Sequence, residues 1–123
     1  MREIIDPEKL FTFYETPIFS GRLADFVGDD ALPMLYAMQN DLLAAPDRYP
    51  MVKGLKGVRK GRIAEPKSDK GKSGSYRYLY LYLELRGQIY LLWLFSKAQQ
   101  ADLNNEQRKL IAKLAEAIKN AKS

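Results

Sequence analysis

Two neighbouring stretches constrain the fold of this chain more than anything else in it. From Tyr76 to Leu85 the residues alternate. Tyr76, Tyr78, Tyr80 and Tyr82 fall on one side, and Arg77, Leu79, Leu81 and Leu83 on the other. Strand side chains point to opposite faces with a period of two, so this reads as a strand with a tyrosine face and an aliphatic face. Arg86-Gly87 then reads as a tight hairpin turn. Ile89 to Phe95 follows and is apolar at every position. Such a run offers water no polar face, which predicts a central strand buried on both sides.

The rest of the chain supplies the cover. Leu10 to Glu15 reads as a short first strand. Thr16-Pro17 gives a helix cap followed by proline at the first helical position, where its missing N–H does no harm. Phe19, Leu23 and Phe26 keep one face apolar until Gly28 closes the helix. A second helix opens at Asp29 or Asp30, carries Leu35, Met38 and Leu42 inward, and stops at Pro46. Asp47 to Leu55 is a loop or irregular strand, and Val58 to Ala64 alternates again, with Lys60 and Arg62 on one face and Arg59 and Ile63 on the other. Asn104 and Gln107 have the spacing of a capping box, and Leu110, Ile111, Leu114 and Ile118 mark a C-terminal amphipathic helix. The order is β-α-α-β-β-β-α, with no repeat. This predicts one α+β domain over residues 1–123, a small, mainly antiparallel sheet with helices packed on it.

Charge is concentrated where the strands begin. Nine of the 20 Lys and Arg residues lie between Lys53 and Arg77 against two acids, Glu65 and Asp69, a local net of +7; the remainder of the chain sums to −2. A cationic patch on strands, interleaved with tyrosines, suits a nucleic-acid backbone. On this reading Lys56, Arg59, Lys67, Lys70, Lys72 and Tyr78 are candidate RNA contacts. The tyrosine face has a competing reading as a stripe half-buried under a helix. Arg77 stands among leucines, where a guanidinium must escape at the strand end or meet an anion. Lys97 sits just past the buried strand, where a strand end meets a surface cleft. Trp93 and Phe95 read as core, and Asp102 as a helix-start residue.

Other chemistries are closed off. The chain has no cysteine and no histidine, which excludes disulfides, thiolate zinc sites and the commonest general acid/base. Gly71-Lys72-Ser73 invites a phosphate-loop reading, but that motif needs a glycine where Pro66 stands and a helix where the tyrosine strand follows. The loop is instead a solvated hairpin connection or a basic loop that orders on RNA. No apolar run approaches a membrane span, and Met1 to Asp6 is short and charged, so a cytoplasmic protein with no membrane partner is expected.

Several of these segments together resemble a known family. Gly57 to Ala64, the Gly71-Lys72-Ser73-Gly74 loop, Tyr76 to Tyr80, Ile89 to Leu92, Lys97 leading to Asp102-Leu103, and Phe13 to Phe19 are similar to the RelE/ParE toxin superfamily, closest to its HigB-like branch. The resemblance spans roughly residues 11–118 and implies a microbial-ribonuclease-like fold. It implies a type II toxin that cuts messenger RNA in the ribosomal A site, together with a cognate antitoxin, HigA-like and of helix-turn-helix type. It also implies that Lys60, Arg62 and Arg77 stabilise the scissile phosphate, with Lys97 as a fourth catalytic position and no cofactor. Better-known relatives carry an arginine after the Lys97-like residue and a tyrosine a few residues on; this chain has Ala98 and Asn104 there. The identity of the general base is therefore open. The alternative within the superfamily is a ParE-like toxin acting on DNA gyrase, or a relative that only binds nucleic acid.

Overall fold

The computed structural model describes residues 11–64 and 75–121. Lys67, Lys70, Lys72 and the Gly71-Lys72-Ser73 loop lie outside the described residues. The elements are β1 (Thr12–Glu15), α1 (Pro17–Val27), α2 (Ala31–Ala44), β2 (Val58–Ala64), β3 (Ser75–Leu83), β4 (Gln88–Ser96) and α3 (Asn105–Asn120). They follow the expected order. The four strands form one sheet in the order β1-β4-β3-β2, antiparallel except where β1 runs parallel to β4.

β4 is inside the sheet, and both of its faces are covered. On the tyrosine side, Tyr76, Tyr78 and Tyr80 join Ile89, Leu91 and Leu94 against Phe19 and Leu23 of α1 and Met34, Met38 and Leu42 of α2. On the other side, Leu79, Leu81, Leu92, Trp93 and Phe95 pack under Ile111 and Ala115 of α3. The register of β3 on β4 shifts between Leu79 and Tyr80, so that Leu79 faces Trp93 while Tyr80 faces Leu91. This bulge puts Leu92 and Trp93 in the same core and lets Leu91 and Leu94 share the opposite one.

Local signals account for the ends. The Thr16 hydroxyl accepts from the Phe19 N–H at 3.0 Å and donates to the Leu92 carbonyl at 2.9 Å, so the α1 cap is also a clasp on β4. Beyond the reach of β1, Arg22 donates to the Leu94 carbonyl and lies 4.9 Å from the Trp93 ring centre, covering the remaining edge of β4. The α3 capping box forms as its spacing predicts. Three expectations are corrected. The β3–β4 connection is a 3-10 turn, Glu84–Arg86, closed by Gly87 at φ 63°, rather than a tight two-residue hairpin. A 3-10 turn, Gly28–Asp30, joins α1 to α2, and Asp30 makes no side-chain cap. Leu110 is 44% exposed; the inward face of α3 is Ile111 and Ala115, with Leu114 and Ile118 packed against the same core as expected.

Gly61 marks a close approach that a side chain would block. A Cβ there would lie 2.5 Å from the Tyr78 ring, and that ring is fully buried with no room to yield. Gly61→Ala is expected to destabilise the protein by about 1–3 kcal/mol, the range for overpacking a core. Urea unfolding measures this directly.

The buried tyrosines also set an alkaline limit. Burial is the largest cause raising the phenol pKa of Tyr78, and it pushes Tyr80 up to about 12. An unfolded tyrosine ionises near 10. Above that pH the unfolded chain releases protons that the folded chain holds, so stability is full below pH 10 and falls as pH rises toward 12. The slope is about 1.4 kcal/mol per pH unit for each such tyrosine. Denaturation midpoints across this range, followed beside tyrosinate absorbance, are expected to fall together. A midpoint that stays level to pH 12 contradicts it.

Candidate nucleic-acid interface

The antiparallel register places Arg62 opposite Arg77 and Lys60 opposite Leu79. All three cations therefore share the sheet face that carries α3. Arg77 is half-buried beside Phe95 on β4, and its guanidinium donates to the Ser75 hydroxyl at 3.0 Å. Arg62 is exposed. Like charges directly opposite on neighbouring strands are destabilising, so nothing in folding favours this pair. Two guanidiniums on one sheet face are suited to hold an anion between them. Lys97 is exposed one residue past β4, and its N–H donates to the Ser75 carbonyl at 3.2 Å, which ties it to the Arg77 end of the sheet.

Lys60 belongs to an adjoining cleft. An opening of about 590 Å³ lies between β2, the Met51–Gly54 segment and the start of α3, lined in part by Lys53, Lys60, Asp102 and Arg108. The Lys60 ammonium is 3.7 Å from an Asp102 carboxylate oxygen. That same oxygen accepts from the Leu103 N–H at 2.8 Å, and Gln100 donates both to the Asp102 carbonyl and to the Gln107 side chain at 2.6 Å. The carboxylate is thus held by Leu103 and Lys60, and Gln100 ties the Asp102 main chain to Gln107 of the α3 cap. Arg108, in the first turns of α3, donates to the Lys53 carbonyl and closes the cleft wall.

The remaining sequence candidates separate by face. Lys56 is exposed in the turn before β2, with its carbonyl accepting from Lys119 at 2.5 Å. Arg59 points to the tyrosine side, donating to the Asp47 and Tyr49 carbonyls at 3.1 and 2.6 Å, and so fastens the loop that leaves α2. Tyr78 is 0% exposed. Its ring fills the core over Gly61 and has no face open to a base, which corrects the expectation that it stacks on RNA. Lys53, Asp102 and Arg108 are the cleft residues that sequence reasoning did not assign to the site. The signal available for Arg108 was its place four residues after the capping Asn104, and for Asp102 its place just before that cap. Among the described residues no group of three acids is placed to hold a metal ion, and no helix is long and apolar enough to cross a membrane.

Arg62→Ala is expected to leave folding stability unchanged or raise it by up to about 1 kcal/mol, because it relieves the cross-strand repulsion. The same change should weaken binding of a single-stranded RNA and flatten its salt dependence by about one unit of slope. Denaturation and a salt series on the two proteins test both halves; a clear loss of stability would make Arg62 a structural residue.

No protein-family model matches the sequence. The fold is similar to that of the E. coli toxin RelE, solved as a double arginine-to-alanine mutant in the free state. The TM-score is 0.54 at 10% sequence identity, covering 75% of this chain and 88% of that one. The expected α+β architecture is therefore a RelE-like fold, with its mainly antiparallel four-stranded sheet between two N-terminal helices and a C-terminal one.

Proposed function

We propose that this protein is the toxin of a type II toxin–antitoxin system, of the HigB-like branch, and that it cleaves messenger RNA on the ribosome in the cytoplasm. The observation that carries the reading is the Arg62–Arg77 pair, in no ion pair among the described residues, on a RelE-like sheet next to a cleft holding Lys60. Its partners are the ribosome, messenger RNA and a cognate HigA-like antitoxin.

RNA carries its own nucleophile. The 2′-oxygen bonds to the adjacent phosphorus, the bond from phosphorus to the 5′-oxygen breaks, and a 2′,3′-cyclic phosphate and a 5′-hydroxyl result. The protein has to align these atoms and stabilise the charge that grows on the phosphoryl oxygens. Arg62 and Arg77 suit bidentate contact with those oxygens, and Lys60 serves as a point charge at the cleft side. Asp102 is the carboxylate within the cleft and is the candidate to take the 2′-hydroxyl proton. Lys97, at the same sheet end as Arg77, is the candidate to return a proton to the leaving 5′-oxygen.

Arg77→Ala is expected to slow single-turnover cleavage on the ribosome by about 10²–10³-fold, the usual loss for a transition-state donor. Ribosome binding should change far less, because several other cations contribute to it. Cleavage at the parental rate under saturating protein assigns Arg77 to docking alone. Intact messages with gyrase-linked DNA breaks after induction move the protein to the ParE-like class.

A further inference from the structure

The helical segment on the side away from the cationic cleft is acidic, although Arg48, paired with Asp41, and Arg59, on the Asp47 and Tyr49 carbonyls, also reach that side. Residues 11–47 carry six acids and one base, and that base, Arg22, is engaged with the Leu94 carbonyl and the Trp93 and Phe26 rings. Along α2, Leu32, Tyr36 and Leu43 are 58%, 55% and 41% exposed. Their spacing of four and seven residues puts them on one stripe of the helix, facing away from the Met34, Met38 and Leu42 core. Apolar side chains in such a row on a helix already packed on its other face are the usual mark of a contact surface.

The stripe ends in a pocket. Leu43 lines an opening of about 410 Å³ with Phe11, Pro46, Asp47, Tyr82 and Glu84. Phe11 and Tyr82 meet edge to face at 5.7 Å and form an aromatic wall. Neither Asp47 nor Glu84 is in an ion pair among the described residues. Both carboxylates are close enough to Tyr82 to add to the effect of burial in raising its pKa. The last turn of α2 carries no basic residue, so the negative end of its dipole adds to theirs. Aromatic faces and negative charge around one opening suit a cationic side chain with an apolar stem.

We propose that the outer face of α2 and the pocket at its C-terminal end form a docking surface for a basic amphipathic segment of a partner protein. Its apolar side chains cover Leu32, Tyr36 and Leu43, and one of its lysines or arginines enters the Phe11–Tyr82 pocket. Charge decides the occupant. The chain's own first ten residues hold three acids and two bases, the wrong sign for this pocket. The inference stands on α2 and its end pocket alone, independent of any cleavage chemistry.

The test uses the full chain, isotope-labelled, and two synthetic helical peptides with the same leucine stripe, one with lysines on its polar face and one with glutamates. The protein's net charge is +5, so non-specific attraction favours the glutamate peptide. The expected result is that the lysine peptide shifts amide signals of α2 and Phe11, while the glutamate peptide leaves them unmoved. Asp47→Asn with Glu84→Gln, and separately Tyr36→Ser with Leu43→Ser, should each weaken the lysine peptide by about tenfold, as for lost hot-spot contacts. Unchanged circular dichroism would show that the exposed substitutions leave the fold intact. The proposal is overturned if the lysine peptide fails to bind, perturbs another face, or binds both double variants as well as the parent. It is equally overturned if sedimentation shows a dimer that the same substitutions abolish, since the occupant is then a second copy.

Discussion

Burial of β4 on both faces is the constraint from which the rest of the structure follows. A strand apolar at every position from Ile89 to Phe95 is stable only inside a sheet with cover above and below. That requirement recruits α1 and α2 to the tyrosine side and α3 to the leucine side. It also explains the clasp at the edge. β1 pairs with β4 only from Gln88 to Leu91, so the Leu92 and Leu94 carbonyls take Thr16 and Arg22 instead. Unsatisfied acceptors at a buried strand edge are costly, and α1 removes them with two side chains.

With β4 and β3 committed to the core, β2 is left as the strand that faces outward. Its tyrosine-side positions are Arg59, Gly61 and Ile63, and its other side presents Lys60 and Arg62. α3 covers that second side through Ile111 and Ala115, while its N-terminal turn forms part of the wall beside Lys60. The basic surface is therefore the portion of a two-sided core that no helix covers. Its Arg62–Arg77 repulsion is tolerable because both side chains reach water, where an effective dielectric near that of the solvent keeps the penalty small. The same pair becomes far more effective once a substrate excludes that water.

Much of this was legible in the sequence because it depends on short-range pattern. The alternation from Tyr76 to Leu83, the apolar run after it, Thr16-Pro17 and the Asn104–Gln107 box each act within a few residues, and each formed as read. What the sequence concealed depends on register. The bulge at Leu79/Tyr80 comes from how β3 and β4 fit together, and no local motif announces it. Tyr78 looked available because tyrosine suits both a base and a core. The deciding fact is the glycine opposite it, and that pairing exists only once β2 and β3 are in register. Arg59 lay on the far side of β2 in the alternation itself, yet its carbonyl acceptors, Asp47 and Tyr49, come from a loop whose path the pattern does not fix.

The cleft shows how a helix can serve both core and site. α3 is held at its far end by Arg86, which donates to the Ile118 and Lys119 carbonyls of the last turn at 3.1 and 2.6 Å. At its near end Arg108 reaches the Lys53 carbonyl, and Gln100 links the Asp102 carbonyl to the capping Gln107. Cations on and around α3 thus fasten to main-chain oxygens, and among the described residues Lys60 alone of the cleft cations meets a carboxylate. A carbonyl takes up a guanidinium's hydrogen bond without cancelling its charge. The fastening that fixes α3 on the sheet therefore also keeps the cleft positive, and the geometry of the site is set by the same contacts that complete the second core.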